Sequence, residues 1–187
     1  MTNVDPTPGT PAPAARPELH RLLADLAAGD LEALAAIYDL TACELYGLAL
    51  WRCGSESEAE DAVQEVFVRL ARKPPDPARI CDPRAYLLAM ARRAACDLVR
   101  RRRPAEPLTG LLLVAPATAP ELPVDAATAT RHLARLSAVQ REAVYLRYFS
   151  GLSFAEIAEV AGVPTFTAAS RCRTGIERLR ALMGVET

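Results

Sequence analysis

All but one of the 15 prolines in this 187-residue chain fall into three clusters, and those clusters decide where regular structure can lie. Proline has no amide hydrogen to donate and its ring collides with the preceding turn, so a cluster of prolines ends a helix. The first cluster lies in residues 1–17, MTNVDPTPGTPAPAARP, where small residues offer little to bury. The second is PPDPARICDP at 74–83, and the third runs through residues 104–128. Between them the chain is rich in Ala and Leu, has only 5% aromatics, and lacks alternating runs of β-branched residues. That composition favours helix over sheet. The chain therefore reads as all-α: a disordered tail at 1–17, a small helical domain at 18–103, a flexible linker at 104–128 and a second small helical domain at 129–187.

In the first domain a helical block begins near Glu18, carries Leu31, Leu34, Ala35 and Tyr38 at helical spacing, and ends at Gly54. SESEAEDAVQEVFVRLARK follows, with Ser57 as the candidate N-cap and acids in the first turn, where they favour the helix dipole. Val63, Val66, Phe67 and Leu70 form its buried stripe; Asp61, Gln64, Glu65 and Val68 lie on another face. From periodicity alone that face is a solvated one.

The next helix, RAYLLAMARRAACDLVRRRR, has Leu87, Ala91, Ala94 and Leu98 inside. Arg92, Arg93, Arg100 and Arg103 project elsewhere, and Asp97 is spaced to pair with Arg93 or Arg101. Net charge is only −1, yet residues 84–103 hold seven arginines against one acid. A basic stripe of this kind is the footprint of phosphate binding. Favourable cations at a helix C-terminus explain one or two of the terminal arginines but not Arg92 and Arg93.

The second domain contains GLSFAEIAEVAGVPTFTAASRCRTGIERLRALM. Ser153 and Glu156 form a capping box, Ile157, Ala158 and Ala161 face inward, and Gly162 ends the helix. After Val163 and Pro164 a second helix buries Ala168, Cys172, Ile176, Leu179 and Met183. Thr165, Thr167, Ser170, Arg171, Arg173, Thr174 and Arg178 are left to face outward. Hydroxyls and guanidinium groups near the start of a second helix suit base edges and phosphates in a major groove, which is helix-turn-helix chemistry. An αα-hairpin that binds no DNA shares the pattern.

EAEDAVQEVFVRLAR and DPRAYLLAMARRAACDLVRRRR resemble domain 2 of bacterial RNA polymerase sigma factors of the extracytoplasmic-function group. LSAVQREAVYLRYFSGLSFAEIAEVAGVP with SRCRTGIERLR resembles their domain 4. The resemblance implies a transcription initiation factor that binds core polymerase and directs it to promoters through −10 and −35 elements, helping to melt the DNA. It implies polymerase docking at Asp61, Gln64 and Glu65, and −10 contacts from Tyr86, Arg92, Arg93, Arg100, Arg101 and Arg103. It implies −35 contacts from the seven outward residues of the last helix, and it admits an anti-sigma partner. Two departures stand out: Arg93 where the family often has Asn, and Phe166, Ala168 and Ala169 where a Gly and a Val-Lys pair are common.

Other functional classes find little support. No run of about 18 apolar residues suggests a membrane span, and the N-terminus lacks an apolar signal core, so a cytoplasmic protein is expected. Five cysteines without paired spacing signal neither a disulfide framework nor a metal site. No phosphate-cradling loop or nucleophile–base motif marks an enzyme, and no cofactor is expected. The rivals are a stand-alone helix-turn-helix regulator, which leaves residues 18–103 without a role, and a helical redox-responsive protein.

Overall fold

The computed structural model describes residues 15–101 and 131–184. The linker and most of the expected tail lie outside the described residues, as does Arg103. Helix α1 spans Ala15–Ala27, α2 Glu32–Cys53, α3 Glu56–Arg72 and α4 Pro83–Arg101; α5 spans Ala138–Tyr148, α6 Phe154–Ala161 and α7 Thr165–Met183. A single 3-10 turn, Pro77–Arg79, breaks the proline-rich segment between α3 and α4. The described residues contain no strand.

Local chemistry sets most boundaries. Gly54 caps α2 in the left-handed conformation at φ 74°, donating its N–H to the Leu50 carbonyl. The N-cap of α3 is Ser55 rather than the expected Ser57, since the Ser55 side chain accepts from the Glu58 N–H. The first block is two helices and not one: α1 ends before Gly29, whose φ of 101° an L side chain rarely adopts. Helix α1 also begins at Ala15 rather than Glu18, placing Pro17 in its first turn, where a missing N–H costs nothing.

The break between α1 and α2 moves the buried face of α2. Ala33, Ile37, Thr41, Leu45 and Leu48 are buried, whereas Leu31 and Tyr38 of the expected stripe are 68% and 51% exposed. The stripes of α3 and α4 fall as expected, with Val63, Val66, Leu70, Leu87 and Ala91 all buried. By length and composition α2 is apolar enough to cross a membrane, although Asp39 and Glu44 interrupt its apolar run. It is nevertheless packed by α1, α3, α4 and α5, and serves as the central core helix.

Candidate nucleic-acid and polymerase interfaces

On α3, Asp61, Gln64 and Glu65 are all exposed, as their register predicts. Glu65 pairs with Arg69 at 3.3 Å. Beside this face, an apolar groove of about 670 Å³ runs between α2 and α3, lined among others by Leu34, Tyr38, Val63, Phe67 and Val68. The Tyr38 and Phe67 rings meet with centroids 4.9 Å apart. Burial first, and then the Glu56 and Glu60 carboxylates, push the phenol of Tyr46 up from its usual pKa. An apolar trough with an acidic rim results.

Along α4, Arg93, Arg100 and Arg101 are exposed. Asp97 pairs with Arg100, three residues on, rather than with Arg93 or Arg101. Tyr86 is half-buried against the core, so its ring packs as well as faces outward. Arg92 points to the second domain and gives its Nε to Glu142 at 2.5 Å.

Both capped helices of the second domain are built as their sequence requires. Ser153 and Glu156 close a reciprocal box on α6, Ser137 and Gln140 close another on α5, and Gly162 turns the chain at φ 65°. In α7, Ala168, Cys172 and Gly175 are buried, with Ile176 and Leu179 half-buried. Met183 departs from the expected stripe and is 47% exposed, at the last residue of the helix. Burial pushes the Cys172 thiol above its usual pKa.

Thr165, Arg173, Thr174 and Arg178 are exposed, and Thr167, Ser170 and Arg171 are half-buried. The Thr174 hydroxyl donates to the Ser170 carbonyl and receives from Gln140, which fixes its orientation. Phe166, absent from the expected set, is 77% exposed and shares an outer ridge with Ser170 and Arg173 at i, i+4 and i+7. Its signal in the sequence was an apolar side chain in the first turn, off the buried stripe.

The two domains touch directly, α2 against α5 and α4 against α6. Trp51 meets Tyr145 and Phe149 with ring centroids 5.3 and 5.0 Å away, and those two rings stack on each other. Gly47 lies beneath the Tyr145 ring, which fills the space a Cβ would take. Burial drives the Tyr145 phenol well above its usual pKa, so it stays protonated and donates to the Glu44 carbonyl at 3.1 Å. Arg141 donates to the carbonyls of Trp51 and Leu136, both at 2.9 Å. Glu142 is buried between Arg92 and Arg52, whose Nη1 stands 3.4 Å away. Arg84 forks onto Glu44 and also reaches the Ser150 carbonyl at 2.6 Å. Sequence periodicity anticipated none of these contacts.

Residues 37–105 match sigma-70 region 2, and residues 129–179 match sigma-70 region 4. The chain is 33% identical to an ECF RNA polymerase sigma factor, SigK, of Mycolicibacterium vanbaalenii, over 92% of this chain and 93% of that one. The chain belongs to the extracytoplasmic-function family of RNA polymerase sigma factors. It is also 30% identical to SigK of Mycobacterium tuberculosis, across 94% of this sigma factor and 99% of that one. In fold it is similar to the sigma factor RpoE of Bartonella quintana, solved with the anti-sigma factor NepR. The TM-score is 0.66 at 23% identity, covering 84% of this chain and all of the other. This sigma factor thus binds core RNA polymerase and directs it to promoters, recognising −10 and −35 elements and promoting DNA melting.

Proposed function

We propose that this sigma factor divides its work among three surfaces. Asp61, Gln64 and Glu65, with the apolar groove beside them, dock core polymerase. Arg93, Arg100 and Arg101 hold the −10 region mainly through phosphates, joined by Tyr86, Arg92 and Arg103. Phosphate contacts of this kind position a protein without specifying sequence. Thr165, Thr167, Ser170, Arg171, Arg173, Thr174 and Arg178 read and grip the −35 duplex.

The observation that carries this reading is the separation of sign. The exposed acids of α3 border an apolar trough, whereas the outward faces of α4 and α7 present guanidinium groups. An acidic rim around an apolar trough fits a basic, amphipathic protein element; exposed arginines fit a polyanion. The domain limits are 18–103 and 129–187, joined by the linker. The protein works in the cytoplasm, performs no bond chemistry of its own, and has an anti-sigma protein as a further partner.

The experiment is run-off transcription by core polymerase with this chain on a randomised promoter library. A shared two-part motif upstream of the transcripts is the expected result. Duplex binding without polymerase binding would refute the docking assignment.

A further inference from the structure

We infer that Gln140 of α5 belongs to the −35 surface, where its side-chain amide, rather than the Thr174 hydroxyl, donates a hydrogen bond to a DNA phosphate. The inference rests on the proposed placement of the outward face of α7 on the −35 duplex.

Thr174 has one hydroxyl proton to give. That proton is shared between the Ser170 carbonyl at 3.0 Å and the Arg171 carbonyl at 3.3 Å. A carbonyl only accepts, so the proton stays on that side and the oxygen is left as an acceptor. Gln140 fills this acceptor with its Nε2, 3.3 Å away. The phosphate oxygens of DNA also only accept, so a Thr174 hydroxyl held in this way has no donor to offer them.

The Gln140 amide is fixed from its other end as well. Its Oε1 accepts from the Ser137 N–H at 3.0 Å, closing the reciprocal box of α5. A backbone N–H only donates, which settles which end of the amide is oxygen and which is nitrogen. One Nε2 hydrogen goes to Thr174, and the other has no partner among the described residues. A planar group held at two points therefore carries a free donor beside the exposed Thr174.

The residue after Thr174 makes this reach possible. A Cβ at Gly175 would stand 3.0 Å from Val144 Cγ2 and 3.4 Å from Gln140 Cβ, so α5 lies close against α7 here because that atom is missing. Glycine is otherwise a poor residue within a helix. The setting also suits an anion. The first turn of α5 carries no acid, and α7 holds four arginines against one acid, Glu177. Arg178 is exposed one turn beyond Thr174.

The free donor points to phosphate rather than base. Glutamine reads adenine by offering oxygen and nitrogen together. With Oε1 held by Ser137, Gln140 has a single donor left, which suits a phosphate oxygen and positions the protein without specifying sequence.

The test uses core polymerase with the full chain on a promoter drawn from the run-off library, carrying one uncharged methylphosphonate at each −35 phosphate in turn. At one phosphate the replacement is expected to weaken wild type about tenfold, as loss of a hydrogen bond to a charged group warrants. Gln140→Ala and Gln140→Glu should each bind the unmodified promoter about tenfold more weakly, and lose no more at that phosphate. A merely structural role would leave the tenfold response in place. Gln140→Glu keeps the box, because a carboxylate accepts from the Ser137 N–H as the amide does, so its thermal unfolding should match that of wild type. Thr174→Val should retain the response to the methylphosphonate, since Oε1 still pins the amide.

Persistence of the response in both Gln140 variants, or its loss in Thr174→Val, overturns the inference. If no −35 phosphate responds in wild type and Arg178→Ala binds unchanged, the placement of α7 on the duplex falls, and this contact falls with it.

Discussion

Reversing charge at Asp61 and Glu65 to arginine separates a docking face from a structural one, because the two roles predict very different magnitudes. Both side chains are exposed. The Glu65–Arg69 pair is 3.3 Å long with its side chains 53% and 56% exposed. An exposed i,i+4 pair contributes about 0.3–0.5 kcal/mol, and a like-charge replacement costs a similar amount. Asp61 is the sixth residue of α3, beyond the first turn, so the helix dipole adds little there. The double variant should therefore lose no more than about 1 kcal/mol of stability. Binding is another matter. Close charge pairs across interfaces couple by about 1.5 kcal/mol or more each, so losing two costs at least about 3 kcal/mol, or more than a hundredfold in affinity. Urea unfolding measures the first quantity, and competition of the variant against wild type for core polymerase measures the second. A stability loss well above 2 kcal/mol would mean the face belongs to the core. Unchanged affinity in a folded variant would put polymerase docking elsewhere.

Ser153→Ala breaks the capping box of α6 and should cost about 1 kcal/mol, seen in thermal unfolding, with a parallel loss of −35 duplex affinity. If the exposed Phe166 ring enters the −35 groove, the apolar partner there is a thymine methyl. Replacing one −35 thymine by uracil should then weaken wild type about fourfold, as one buried methyl warrants, and leave Phe166→Ala indifferent. Equal sensitivity of both proteins would dismiss that contact. Cys43 and Cys81 should react with a thiol reagent in the native state at mildly alkaline pH, while Cys53 and Cys172 wait for unfolding. The raised pKa of Cys172 has a defined sign: its burial contributes fully below the thiol's ordinary pKa and is lost as pH climbs through the folded value. Reaction of all five thiols at one rate in the native state would contradict this burial pattern.

What could be read in advance follows from which forces leave a local mark. Proline clusters, the reciprocal box at Ser153 and Glu156, and the left-handed glycines 54 and 162 act within a few residues, so the chain displays them openly. The stripe of α3 was equally visible because its period runs without interruption. Helix α2 was misread: the turn at Gly29 resets the register, and the helix is wrapped by four neighbours, which weakens any single apolar face. The same lapse hid the groove, because Leu34 and Tyr38 looked like core and in fact line an open trough. Phe166 stood out only as a departure from the family pattern and was left out of the expected contacts for the opposite reason, as an apolar residue outside the stripe among polar candidates.

The domain contact left no such mark, for a physical reason. A buried apolar face announces itself by period, but a buried arginine or glutamate looks like any surface charge until its partner is known. Arg92 met every criterion of a phosphate contact: it lies off the inner stripe, on a basic helix, beside Arg93. Only the approach of Glu142, fifty residues on, gives it a second role. Carboxylate and phosphate both offer oxygen acceptors to the same planar fork, so a guanidinium that ends in a buried ion pair carries the same local pattern as one that meets DNA.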